Sequence, residues 1–102
     1  MHIDIKTKAI DLTEAIRSSV EERLTKLESE LERFGESVEV EVEVGKTTGH
    51  HNKGPFFRAE VRIVLPGKSI YAEAEAEDLY VAIREARDRA RRQIIEHKEK
   101  IG

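Results

Sequence analysis

Five arginines, Arg84, Arg87, Arg89, Arg91 and Arg92, fall within nine residues that carry only two acids, Glu85 and Asp88. A guanidinium group has a fixed positive charge and forked donors, so arginines spaced along a rigid helix suit phosphate groups that recur along a nucleic-acid backbone. At about 100° per residue, Arg84, Arg87, Arg91 and Lys98 share one flank of such a helix. Arg89 and Arg92 then lie on the far side and top, among Glu85, Asp88 and Glu96. A second helical stretch is segregated in the same way, with Arg23, Lys26 and Arg33 on one flank and Glu14, Glu21, Glu28 and Glu32 on the other. The alternative is a solvated helix laced with i,i+4 ion pairs such as Glu85–Arg89 and Asp88–Arg92. Of the nucleic acids, an A-form RNA groove suits this spacing. With aromatic residues at 5% of the chain, a base-stacking platform for single strands is disfavoured.

Other chemistry finds less support. The carboxylates alternate along strands or line helix exteriors, and no two meet in an apolar setting that would tune one for acid–base work. His50 and His51 could reach a metal, but adjacent side chains in a loop diverge and neither HExxH nor Cys/His spacing is present. His97 lies near the end of a helix, where the dipole favours it. GKTTG at 45–49 is not a P-loop, because its lysine precedes the threonines by the wrong count and no helix follows. There is no cysteine, which removes disulfides, thiolate metal sites and thiol nucleophiles. No catalytic residue, metal or cofactor is expected, and no small-molecule substrate.

These residues must be positioned by one small core. The chain has 102 residues, hydrophobic and charged side chains are 38% each, and the net charge is −3; a single domain over 1–102 is expected. No basic-then-apolar leader and no apolar run of membrane length is present, so a cytoplasmic protein without a membrane partner is expected. Ile3 and Ile5 alternate with polar residues as in a strand over 2–6. Asp11 or Thr13 can cap a helix of about five turns on Ile16, Val20, Leu24, Leu27 and Leu31, with Gly35 as its stop. From Val38 to Val44 valine and glutamate alternate, a half-buried strand. A long polar hairpin loop over 45–55 leads to a third strand with Phe57, Ala59, Val61, Ile63 and Leu65 on one face. After the Pro66-Gly67 turn a fourth strand points Ile70, Ala72, Ala74 and Ala76 inward. A last helix from about Asp78 to Lys98 buries Leu79, Ile83, Ala86, Ala90 and Ile94, and the inward alanines leave room for it.

The order β-α-β-β-β-α predicts an α+β fold, a four-stranded sheet with two parallel helices on one face. The other face is left open, with Asp4, Glu39, Glu41, Glu43, Glu60, Glu73 and Glu75 against Lys6, Arg58 and Arg62. It should repel phosphate. With no apolar patch left over, the free protein is expected to be a monomer, its weakest point the edge of the fourth strand.

Three stretches resemble a known family. They are Leu12-Thr13-Glu14-Ala15-Ile16-Arg17 with Arg23-Leu24-Thr25-Lys26-Leu27-Glu28, then Phe57-Arg58-Ala59-Glu60-Val61, then the run from Ala72 to Ile83 (AEAEAEDLYVAI) leading into the basic helix. Together they are similar to the ribosome hibernation-promoting and ribosome-associated inhibitor family, over essentially the whole chain. The resemblance implies the same fold and binding to the small (30S) ribosomal subunit and its 16S rRNA. The site would be the channel of messenger and the A- and P-site transfer RNAs, with translation switched off in starvation or stationary phase and no reaction catalysed. It implies rRNA contacts at Arg23 and Lys26 on the first helix and at Arg89 and Arg92 on the last, while two neighbouring positions often basic in the family carry Ser29 and Glu96. Periodicity favours the Arg84, Arg87, Arg91 and Lys98 flank instead. The chain is similar to short members, without the further C-terminal domain through which long members pair ribosomes. A generic double-stranded RNA-binding module is the nearest alternative, separated by whether assembled subunits are preferred to bare duplex. A small enzyme or a protein scaffold would need a pocket with converging polar groups.

Overall fold

A computed structural model describes residues 1–47 and 56–102. The strands β1 (His2–Lys8), β2 (Glu39–Lys46), β3 (Phe57–Leu65) and β4 (Lys68–Ala76) form one sheet in the order β1-β2-β3-β4. β1 pairs parallel with β2, His2 opposite Glu39 and Lys8 opposite Gly45, and the other two pairings are antiparallel. Alternation dictates this arrangement: Val40, Val42, Val44, Ala59, Val61, Ile63, Leu65, Ile70, Ala72 and Ala74 are all buried beneath the helices. β1 and β2 approach closely at Gly45, where a Cβ would stand 2.3 Å from the Lys8 carbonyl oxygen. Only glycine fits there.

The helices are α1 (Glu14–Thr25), α2 (Glu28–Leu31) and α3 (Leu79–Ile101). Thr13 caps α1, its hydroxyl accepting from the Ile16 N–H at 3.2 Å, and Asp78 caps α3 by accepting from the N–H groups of Tyr80 and Val81. Each cap satisfies donors that have no partner within the helix. α3 therefore begins one residue after Asp78 and runs beyond Lys98.

The first helix is not continuous. Thr25 donates its hydroxyl to the Glu21 carbonyl, a back-bond that competes with the helical ladder. The chain then tightens, with the Leu27 N–H donating to Leu24 O at 2.9 Å, before α2 and a 3-10 turn over Glu32–Phe34 complete the segment. Leu24, Leu27 and Leu31 stay buried across the break, so packing is preserved where helical regularity is not. Gly35, at φ 87°, ends the segment. α3 packs on β3 and β4, and its Ala82, Ala86 and Ala90, buried like Ala72 and Ala74, allow the close approach expected from the inward alanines. The loop expected over 45–55 begins beyond β2, and most of it, with His50 and His51, lies outside the described residues.

Candidate nucleic-acid interface

The basic residues sort by what their flank of the helix meets. α1, α2 and the 3-10 turn run alongside α3 in the same direction, since successive contacts join Arg23 to Arg87, Glu30 to Arg91 and Lys98, and Phe34 to His97. The Arg84, Arg87, Arg91 and Lys98 flank therefore faces the flank of the first helix that carries Arg23 and Lys26. The fold brings six predicted residues to one seam between the helices.

Within the seam their states differ. Arg87 is the most enclosed, its side chain 13% exposed, with Nε on Asp88 at 2.7 Å and Nη1 on the Arg23 carbonyl oxygen at 3.3 Å. It holds the helices together. Arg91 Nη2 lies 3.4 Å from Glu30 Oε1 and Lys98 Nζ 3.1 Å from Glu30 Oε2. The hydrogen bond from Lys98, with lesser help from Arg91, holds the Glu30 carboxyl below the usual carboxylate range. Lys26 and Arg84 are exposed, each one turn from a residue fixed in the seam. Arg92 is exposed on the outer surface of α3, sharing a shallow depression with Asp88, Arg91 and Ile95.

Arg89 is set apart on the opposite flank. Its Nη1 donates to the Glu73 carbonyl oxygen at 2.6 Å, and one turn on, Gln93 Nε2 donates to the Tyr71 carbonyl oxygen at 2.6 Å. Both acceptors belong to the outer edge of β4, so two side chains of α3 cover the strand edge that the pattern alone leaves open. The ion pairs Glu85–Arg89 and Asp88–Arg92 do not form: Arg89 reaches the sheet edge and Asp88 is taken by Arg87. At the far end of the seam His97 stacks on Phe34 with centroids 5.9 Å apart, rather than serving only the helix dipole. Arg33 lies over the same ring at 5.6 Å and donates to the Gly102 carbonyl at 3.3 Å.

Glu30 and Gln93 are absent from the residues singled out in the sequence. The spacing Ser19, Arg23, Lys26, Glu30 in steps of four, three and four was the available signal for Glu30. Gln93 follows Arg89 by one turn, but only the packing of α3 shows that this flank meets a strand edge.

The open sheet face carries the seven expected acids, and Lys8 joins Lys6, Arg58 and Arg62 there, being in the same alternation as Lys6. Glu43, Glu60 and Glu73 stand directly opposite one another across three strands, an unfavourable like-charge row. Arg58 relieves it by pairing with both Glu60 and Glu73. Tyr71 donates its hydroxyl to Glu73 Oε2 at 2.9 Å. Desolvation and this bond push its phenol up to about 12. α3, by contrast, bears seven basic and four acidic side chains, so the field along this helix is opposite in sign to that of the open sheet face. Among the described residues no charged side chain is buried, no His, Asp and Glu gather as metal ligands, and no helix is long and apolar enough to cross a membrane.

A family model described as Sigma 54 modulation protein / S30EA ribosomal protein matches residues 3–102. A ribosome hibernation promoting factor of Azotobacter vinelandii is 35% identical over 98% of this chain and 85% of its own length. One from Escherichia coli K12 is 31% identical over 99% and 97%. The crystal structure of the Thermus thermophilus Protein Y N-terminal domain superposes with a TM-score of 0.72 at 30% identity, covering 92% of this chain and 96% of that one.

Proposed function

Because the chain belongs to the Sigma 54 modulation protein / S30EA ribosomal protein family, we propose that it is a ribosome hibernation factor that silences translation by occupying the small subunit. Its place is the channel of messenger and the A- and P-site transfer RNAs, and its helical layer faces 16S rRNA. The mechanism is occupancy without a chemical step, acting in the cytoplasm under starvation or stationary phase.

One observation carries the orientation. Basic residues from α1 and α3 converge on one seam, while the opposite sheet face is acidic. A protein of net charge −3 can approach a polyanion if its charges are segregated, because the local field and not the sum steers the encounter. The contact surface consists of Arg23, Lys26, Arg84, Arg91, Arg92 and Lys98. Arg87 ties the seam together and Arg89 covers the sheet edge, so both act through the fold. The exposed guanidinium groups lie on a helix held by six buried side chains, which fixes their spacing along a phosphate backbone.

Cosedimentation of the pure protein with small subunits at two salt concentrations tests this reading. Binding should fall steeply with salt, by about 0.7–0.9 units of log–log slope per phosphate contacted, and bare RNA duplex should compete poorly. Binding that ignores salt, or that favours bare duplex, refutes it.

A further inference from the structure

Glu30 is the acid that two cations of the seam share, and it is placed as a ligand would be. Its two carboxylate oxygens take different cations, Oε1 the Arg91 guanidinium at 3.4 Å and Oε2 the Lys98 ammonium at 3.1 Å. Those cations are seven residues apart on α3, two helical turns or about 10 Å along its axis, and only a group lying between them serves both. The neighbouring acids of the same segment, Glu28 and Glu32, are exposed, and among the described residues neither has an ion-pair partner. The cleft is not sealed: the side chains of Glu30, Lys98 and Arg91 keep 21%, 25% and 55% of their exposure.

We propose that Glu30 is an internal stand-in for an RNA phosphate, and that the cleft it fills between Arg91 and Lys98 is a phosphodiester-binding site of the RNA-bound state. A carboxylate and a phosphodiester each carry one negative charge and two terminal oxygens, so the same two cations accept either. In the free protein Glu30 neutralises Arg91 and Lys98 and keeps them from repelling one another. An arriving phosphate must displace it. The exchange trades one ion pair for another, so this site contributes little to attraction in general. It favours RNA that sets a phosphate there while its other phosphates meet Arg23, Lys26, Arg84 and Arg92, and the carboxylate repels RNA that does not. Glu30 is thus a specificity-determining residue, and the proposal rests on the reading that the helical layer faces rRNA.

The experiment compares Glu30→Gln with Glu28→Gln, which removes the same charge two residues away from a side chain without partners. Affinity for small subunits and for a bare RNA duplex is measured for both and for the wild type at several salt concentrations. Glu30→Gln should tighten binding to bare duplex about tenfold and steepen its salt dependence by about one phosphate contact, with a smaller gain on subunits. Glu28→Gln should change either by no more than about twofold. Adding Arg91→Ala and Lys98→Ala to Glu30→Gln should abolish the gain. Glu30→Met, which keeps the stem that covers the seam, should behave as Glu30→Gln and separates the lost charge from any loosened packing. If Glu30→Gln binds like Glu28→Gln, or more weakly than the wild type, the proposal is overturned although subunit binding stands. If the wild type does not bind subunits, the functional reading falls first.

Discussion

Removing Arg84 and Arg92 together, as Arg84→Ala/Arg92→Ala, separates the RNA-facing role of the helical layer from its structural role. Both side chains are exposed, and among the described residues neither has a hydrogen-bond or ion-pair partner. Their loss should leave stability within about 0.5 kcal/mol of the wild type, as for surface positions free of special contacts. Binding should respond differently. A charge-assisted contact contributes about 1.5–3 kcal/mol, so each lost arginine should weaken subunit binding about tenfold or more, and the pair about a hundredfold or more if the two act independently. The salt dependence should flatten in step, by about 0.7–0.9 units of log–log slope for each phosphate no longer met.

The assay is equilibrium binding of a fluorescently labelled protein to purified small subunits over a salt series, with urea unfolding run on the same samples. Arg89→Ala is the informative companion. Its guanidinium is engaged by the Glu73 carbonyl at 2.6 Å, so it should shift binding less than about threefold. The charge reversal Glu41→Lys/Glu43→Lys on the open sheet face should also leave binding nearly unchanged. A folded Arg84→Ala/Arg92→Ala variant that binds like the wild type with the same salt slope would refute the assignment of the helical layer. Loss of binding in Arg89→Ala alone would move the interface to the other flank of α3.

Four further outcomes follow from the geometry. Arg89→Ala/Gln93→Ala uncovers the Glu73 and Tyr71 carbonyls on the β4 edge; it should cost no more than about 2 kcal/mol yet produce more concentration-dependent self-association in light scattering than the wild type shows. Gly45→Ala places a methyl group 2.3 Å from the Lys8 carbonyl and should cost about 2–4 kcal/mol in urea unfolding by forcing β1 off β2. The Tyr71 phenol is raised from 10.0 to about 12, so its neutral form is favoured by folding: this stabilisation is complete below pH 10 and is lost as pH rises through 12, and Tyr71→Phe should remove that alkaline dependence from the unfolding curve. Glu30 is lowered from 4.5, so its seam contribution is present above that value and is lost as pH falls below it; Glu30→Gln should flatten the acid limb of stability against pH.

The order of elements, the strand alternation and the buried face of each helix follow from the sequence alone, because hydrophobic periodicity is local and only one face of each element can leave water. Val38–Val44 had to be half-buried, and the alanines of β4 had to face something that approaches closely. A cap at Asp11 or Thr13 was equally legible, since a side-chain oxygen there satisfies a donor of the same first turn, and the fold uses Thr13. The break at Thr25 was not, because the leucine stripe keeps its spacing through Leu24, Leu27 and Leu31 whether or not the backbone between them stays helical. Charge was legible as two flanks of α3 but not as an interface. Which flank meets α1 and which meets the β4 edge depends on how α3 rolls onto the sheet, a matter of packing between residues far apart in the chain. That roll makes Arg87 a tie between helices, turns Arg89 and Gln93 onto strand carbonyls, and brings Glu30 against Arg91 and Lys98. Local sequence sets the charge of a side chain, and only the tertiary fold decides whether a neighbour has already claimed it.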